Sequence, residues 1–235
     1  MNKFFVIYEK LFRTYRPQGW WPILSLAGKK GFDADGYHKG SYDYPWNEQQ
    51  RFEIILGAIL TQNTSWKNVE KSLKVLQEKD LLSAENMEAL SERKLASLIK
   101  SSGYFNQKAK KIKAMIAFLK SKKPITRDNL LSIWGVGPET ADSILLYAYH
   151  KPVFVIDAYT RRIFSRIGLC KADVRYEELQ QMFHKDLEKN VELFNEYHAL
   201  IVEHAKAHCR TKPDCEKCPL LSLCKYGRRL KPDLD

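Results

Sequence analysis

The sequence lacks any apolar run long enough to cross a bilayer. Its longest, such as Ile54 to Leu60, falls far short of the roughly 20 residues a spanning helix needs. It also lacks a secretory h-region, because the opening Met-Asn-Lys-Phe-Phe-Val-Ile-Tyr meets Glu9 and Lys10 too early. These absences predict a cytosolic protein with no membrane partner. Internal repeats and low-complexity tracts are missing. Strand signals are scarce, with few alternating runs and no Asn-Gly hairpin. Carboxylates are in deficit: 28 Asp and Glu stand against 39 Lys and Arg, a formal net charge of +11. That imbalance suits either a polyanionic partner, nucleic acid being the commonest, or a merely soluble lysine-rich surface. Cysteine is sparse, and five in a cytosolic chain argue for metal rather than disulfides. What is present is enough apolar material, 44% of 235 residues, for one large or two small domains.

The apolar spacing is mostly helical. Asn47 can cap a helix with Gln50 at the capping-box position, and Phe52, Ile55, Ala58 and Ile59 follow at helical spacing. Ile54, Leu56 and Leu60 make this helix apolar nearly all round, so it should be central. Further helices are predicted from Trp66-Val69-Leu73-Leu76, from Ser91 to Gly103, and from Ile112-Met115-Ile116-Leu119. Others follow from Thr126, Pro138 and Asp157, and over 174–188 and 191–208. Residues 17–47, rich in proline, glycine and aromatics, read as a long loop with an aromatic tip.

Two local patterns carry chemistry. Over 127–149, two helices are joined by Gly135-Val136-Gly137. The glycines permit positive φ and close backbone approach, Pro138 suits the first helical turn, and the free N–H groups there suit a phosphate. An ordinary turn between helices is the alternative. Upstream, nine Lys and Arg and no carboxylate lie between Lys100 and Arg127. Seven of them fall between Lys108 and Lys123, so one strip could follow a nucleic-acid backbone while the rest form a solvated face. The second pattern is Cys209, Cys215, Cys218 and Cys224, spaced C-x5-C-x2-C-x5-C. Four thiolates in one compact loop (209–224) can hold a [4Fe–4S] cluster. Zinc is the alternative, although structural zinc sites usually pair two close knuckles and only one close pair is present. Arg210, Lys212 and Lys217 lie in the loop and suit phosphates. Cys170 is the odd one, read as a free, partly buried thiol.

Leu131-x-x-x-Gly-Val-Gly-x-x-Thr140-Ala141, followed by Val-Ile-Asp157, resembles the helix–hairpin–helix and Gly/Pro-Asp elements of the endonuclease III superfamily of DNA glycosylases. Leu60-Thr-Gln-Asn-Thr64 and Ser102-Gly-Tyr-Phe-Asn-Gln-Lys-Ala-Lys110 resemble the same family, in particular its bacterial 3-methyladenine (type III) branch. The resemblance covers roughly residues 45–225. It implies that Asp157 stabilises the oxocarbenium-like sugar or activates water. Asp157 also reads as a helix N-cap, and the two roles are compatible. Family members with lyase activity carry a lysine two residues after the hairpin's second glycine. Here that position is Glu139, which cannot form a Schiff base. Glu139 is either a first-turn helix residue or a contact to the extruded base. Trp66 and Trp46 resemble aromatics that stack on the base in the type III branch, with burial in the core as the alternative. Gln62 resembles the wedge that fills the gap in the duplex, or is a buried amide serving a loop. The family's cluster loop has a first gap of six residues rather than five.

Together these readings predict an all-α protein of two helical lobes. A six-helix lobe spans 48–152, and 1–47 packs with 153–235 as the cluster-bearing lobe. The expected activity is monofunctional removal of a damaged base, an alkylated purine, from double-stranded DNA, by a monomer in the cytoplasm at the nucleoid. The alternatives are an endonuclease III-like lyase acting on oxidised pyrimidines through another lysine, and a non-catalytic iron–sulfur DNA-binding protein. Asp157 speaks against the latter.

Overall fold

Asn2 opens the first helix of the computed structural model, which describes residues 2–230, by accepting the Phe4 N–H on its side chain at 3.0 Å. The helices are α1 (Lys3–Tyr15), α2 (Glu48–Leu60), α3 (Trp66–Gln77), α4 (Ala84–Glu88), α5 (Glu92–Leu98) and α6 (Phe105–Lys120). Then come α7 (Arg127–Leu131), α8 (Pro138–Ser143), α9 (Ala158–Ile167), α10 (Tyr176–Asp186), α11 (Val191–Ala207) and α12 (Lys225–Leu230). No strand occurs among the described residues, so the all-α expectation holds. None of the helices is long and apolar enough to cross a membrane.

The chain divides into two compact units, one of Met1–Trp20 with Pro152–Asp235, the other Trp21–Lys151. In the second unit α2 is the axis expected of it: Phe52, Ile54, Ile55, Leu56, Ala58, Ile59 and Leu60 are all buried. Asn47 caps it, accepting the Gln50 N–H at 2.9 Å. Gln50 does not close the reciprocal capping box, because its Oε1 takes the Trp46 N–H at 2.7 Å instead. The short helix α4 adds one to the six expected, held by its Ser83 cap and buried Met87. The helix begun by α8 continues as a π-helical stretch, Ile144–Ala148, wholly buried against α2.

The largest correction concerns residues 21–47, which belong with this unit and not with the cysteine-bearing one. Trp21 is buried edge-on to Trp66 at 5.4 Å and against Tyr147 at 5.1 Å. Its indole lies where a Cβ on Gly57 would stand, 2.8 Å away. His38 is buried and bonds the Trp21 carbonyl at 2.9 Å, and Glu53 of α2 accepts the Ser25 N–H at 3.2 Å. This segment has one 3₁₀ turn, Leu24–Leu26; Trp21, Ile23 and Leu24 are core, whereas Trp46 near its end is exposed.

The first unit is built on aromatics. Phe183 of α10 stacks on Phe154 at 3.8 Å and meets Phe4 and Phe164 at 4.8 and 4.7 Å. Tyr197 of α11 donates its hydroxyl to the Phe4 carbonyl at 2.8 Å, which anchors α1, a helix not among those expected although Phe4, Ile7 and Leu11 stand at helical spacing. Residues 231–235 of the expected second lobe lie outside the described residues.

Candidate active site and nucleic-acid interface

Thr126 caps α7 by accepting the Asn129 N–H, and Leu130, Ile133 and Val136 bury the inner side of the turn that follows. A forked ion pair ties the two hairpin helices: Arg127 Nε and Nη2 reach the carboxylate of fully buried Asp142 at 2.8 and 3.2 Å. Gly135 has φ +81°, and the Lys111 side chain lies 2.6 Å from where its Cβ would be, so only glycine fits. Gly137 corrects the expectation of positive φ: it is at −95°, facing open space. Its use is access from outside. Val136 is corrected too. Its side chain is buried, and its N–H is taken by the Ile133 carbonyl at 3.1 Å. The N–H groups of Gly135 and Gly137 donate to no acceptor among the described residues. Beside them Trp134 is 55% exposed, an aromatic that the glycine pattern did not single out.

Gln62 and Thr140, far apart in sequence, are brought together. The Gln62 amide donates to Thr140 Oγ1 at 2.8 Å and to the Gly135 carbonyl at 3.4 Å, while Lys111 Nζ donates to Gln62 Oε1. The buried Thr140 hydroxyl therefore serves Gln62 rather than a phosphate directly. Glu139 is exposed in the first turn of α8. Trp66 begins α3, half-buried, with its indole Nε1 buried and unpartnered among the described residues. Trp46 is 64% exposed and stacks on Tyr44 at 4.2 Å. Neither is simply core, and no ring contact joins the two.

The basic strip on α6 is mostly spoken for. Lys108 is buried, donating to the carbonyls of Leu60 at 2.9 Å and Ser102 at 2.6 Å; burial, and then Lys111, pull its ammonium down to about 8. Lys113 bonds the Glu88 carbonyl and Lys120 the Glu88 carboxylate. Lys110, Lys120, Lys122 and Lys123 of the seven are exposed, and of these Lys120 is engaged with Glu88. Counting charges did not reveal which face each occupies.

In the other unit, Asp157 is the N-cap of α9. Its Oδ1 accepts the Thr160 N–H at 2.6 Å and the Thr160 hydroxyl at 2.7 Å. Its Oδ2 faces His198 Nε2 at 3.7 Å, and both side chains are buried. Burial pushes the carboxyl up, but His198 and the two Thr160 bonds outweigh it and hold the group below its ordinary value. Trp20 lies edge-on to His198 at 5.7 Å. His198 escaped the sequence reading because its partner lies 41 positions away and nothing local marks it.

The four loop cysteines line one small pocket with Ile163, Ile167 and Leu220. Sulfurs of Cys215 and Cys224 both approach Gly227, at 3.7 and 3.6 Å from where its Cβ would be. Donors aim at the sulfurs: Arg166 Nη1 lies 3.3 Å from Cys209 Sγ and the Gly227 N–H 3.3 Å from Cys224 Sγ. Burial pushes the Cys218 thiol up to about 11, with Cys224, Cys209 and Cys215 adding to it. Such thiols ionise together only around a cation, so the donor set fits a thiolate-bound metal centre. Among the described residues no group of three or more His, Cys, Asp or Glu is arranged to hold a single metal ion. Arg210, Lys212 and Lys217 are exposed, and Cys170 is a half-buried free thiol.

Residues 56–189 match the family model described as HhH-GPD superfamily base excision DNA repair protein. A Methanocaldococcus jannaschii protein described as a candidate DNA repair glycosylase is 41% identical over 239 residues, covering 95% of this chain and 97% of that protein. A trapped endonuclease III–DNA covalent intermediate is similar in structure, with TM-score 0.70 and 29% identity over 77% of this chain and 85% of its own. The H. pylori 3-methyladenine DNA glycosylase bound to 1,N6-ethenoadenine has TM-score 0.67 and 28% identity over 86% of this chain and 97% of its own. The chain belongs to the HhH-GPD superfamily of base excision DNA repair proteins, and it is a DNA glycosylase of the endonuclease III superfamily.

Proposed function

We propose that this glycosylase is monofunctional, hydrolysing the N-glycosidic bond of an alkylated purine in double-stranded DNA and leaving the strand intact. The observation that carries the reading is the Asp157 carboxylate. One oxygen is saturated by Thr160, the other is held opposite His198, and the group stays ionised although buried. A fixed negative charge of this kind stabilises the cationic sugar as the C1′–N bond breaks and the electron pair leaves with the base. Water then bonds to C1′ and gives up its proton to the Asp157 carboxylate. Glu139 supports the absence of lyase chemistry, because a carboxylate stands where a Schiff-base amine would be needed. The alkylated-purine class is supported by the ethenoadenine held by the H. pylori relative and by the exposed indole of Trp46, with Trp66 half-buried. A positively charged base stacks on electron-rich rings and leaves readily.

Cys209, Cys215, Cys218 and Cys224 would hold a [4Fe–4S] cluster, which supplies a structural cross-link for the loop and an anchor for its cations. The exposed Arg210, Lys212 and Lys217, with the N–H groups of Gly135 and Gly137, would take phosphates. Gln62 would fill the gap left by the extruded base.

A second reading, a bifunctional lyase, is favoured by one observation: the Lys111 amine lies against the hairpin through Gln62. Its ammonium is engaged as a hydrogen-bond donor, which favours a positioning role. Base release from duplexes carrying a panel of lesions, with borohydride trapping on each, tests both readings. Release of alkylated purines with no trapped imine is expected, and Glu139→Lys should gain weak nicking. A trapped imine that disappears in Lys111→Ala would establish the lyase instead.

A further inference from the structure

A wide concavity in the Pro152–Asp235 part of the chain lies outside the hairpin and the cysteine loop. It is an open groove of about 740 Å³ along α9, walled by α12 and the turn after α9. Arg161, Arg162, Arg166, Lys225 and Arg229 line it, with Tyr226, and no carboxylate does. None of the five cations pairs with a carboxylate anywhere among the described residues. Arg162 and Arg166 are held, but by neutral oxygens: Arg162 Nε donates to the Cys209 carbonyl at 2.8 Å, and Arg166 to those of Arg210 and Thr211 at 2.6 and 3.0 Å. Carbonyls orient a guanidinium without cancelling its charge. Arg161 is the most telling. Its Nε is buried and has no acceptor among the described residues. A buried donor on a charged group without a partner is costly, and like charges crowded in one groove add repulsion. Both costs vanish when an anion enters.

We propose that this groove is a second backbone-binding site, taking the phosphodiester strand of DNA that flanks the reaction centre. The proposal rests on the reading that the chain acts on duplex DNA at Asp157. Ala158, the residue after Asp157, lines the groove's end, so the cationic track begins beside the α9 N-cap and follows that helix. A ten-residue helix is about 15 Å long. One strand of B-DNA presents about four phosphates over that distance. Five spread cations in an open channel match such a line of charges better than a single small anion, and the guanidinium forks suit phosphate oxygens. Because Arg162 and Arg166 are fixed by the carbonyls of residues 209–211, the cysteine loop also sets the groove's shape.

Binding of undamaged duplex, followed by fluorescence anisotropy across a salt series, tests the proposal without base release. Failure of the glycosylase reading and failure of this one are therefore separable. The probe is a plain duplex, the variants are Lys225→Gln/Arg229→Gln, both on exposed positions, and Arg161→Gln. The control is Lys79→Gln/Lys94→Gln, which removes the same charge from exposed sites elsewhere. The groove double variant should bind about tenfold more weakly near physiological salt. Its slope of log affinity against log salt should fall by nearly two, about 0.9 for each phosphate no longer neutralised. Arg161→Gln should lower the slope by about one, and the control should change neither. Groove variants that behave like the control overturn the proposal. So do variants that lose binding of inorganic phosphate while duplex binding and its salt slope stay as in wild type, which would mark a small-anion site.

Discussion

Asp157 is a helix cap whose second oxygen is left for the role proposed for it. The cap uses Oδ1, and the face toward His198 uses Oδ2, so neither role competes for the same lone pairs. Asp157→Asn keeps a cap oxygen but loses the charge. Base release should fall by at least a hundredfold while duplex affinity is unchanged, read by single-turnover assays beside anisotropy. Stability carries a second signature. A carboxyl held below its unfolded value stabilises the fold above about pH 4 and loses that contribution as pH falls through the lowered value. Wild type and Asp157→Asn should therefore differ in unfolding free energy at neutral pH and converge in acid, which denaturant titrations at several pH values would show. The cap was legible in the sequence because capping is local. His198 was not, nor was the bond from Lys111 to Gln62, because each depends on which faces meet after folding.

At the scale of elements, the hairpin depends on a contact that its glycine pattern does not contain. Arg127 and Asp142 flank the turn, one on each helix, and their forked pair fixes the angle between α7 and α8. Removing Arg127 leaves a fully buried carboxylate without its cation. Arg127→Ala should cost about 3 kcal/mol, and Arg127→Lys, which cannot make the fork, should recover only part of it. Thermal or urea unfolding measures this directly; a change below about 1 kcal/mol would mean that Asp142 finds another donor. Elements with strong period, such as α3 and α9, were readable from apolar spacing, and α2 from its length of apolar residues. The segment 21–47 was not, because its apolar residues follow no period; Trp21 among them is buried by Trp66, Tyr147 and Gly57 of α2. The strip on α6 misled for the opposite reason: its lysines have the right density but several turn inward, Lys108 completely.

At the scale of the whole molecule, the cysteine loop, bonded to Arg162 and Arg166 of α9, and the N-terminal helix α1 both hold the first unit together. Stripping iron with a chelator after reduction should bleach the protein and release the 209–224 loop. Fast hydrogen exchange is then expected in α12 and at the C-terminal end of α9, with residues 21–151 still protected. Colourless protein containing one zinc, or loop protection that survives chelation, would contradict the cluster. The division of the chain has a further consequence for synthesis. The Trp21–Lys151 unit is continuous and can close on itself as it leaves the ribosome, whereas α1 must wait for Phe164 and Phe183 before Phe4 meets its ring partners. For more than a hundred residues of translation the stripe of Phe4, Ile7 and Leu11 lacks the aromatic surface that buries it in the folded chain.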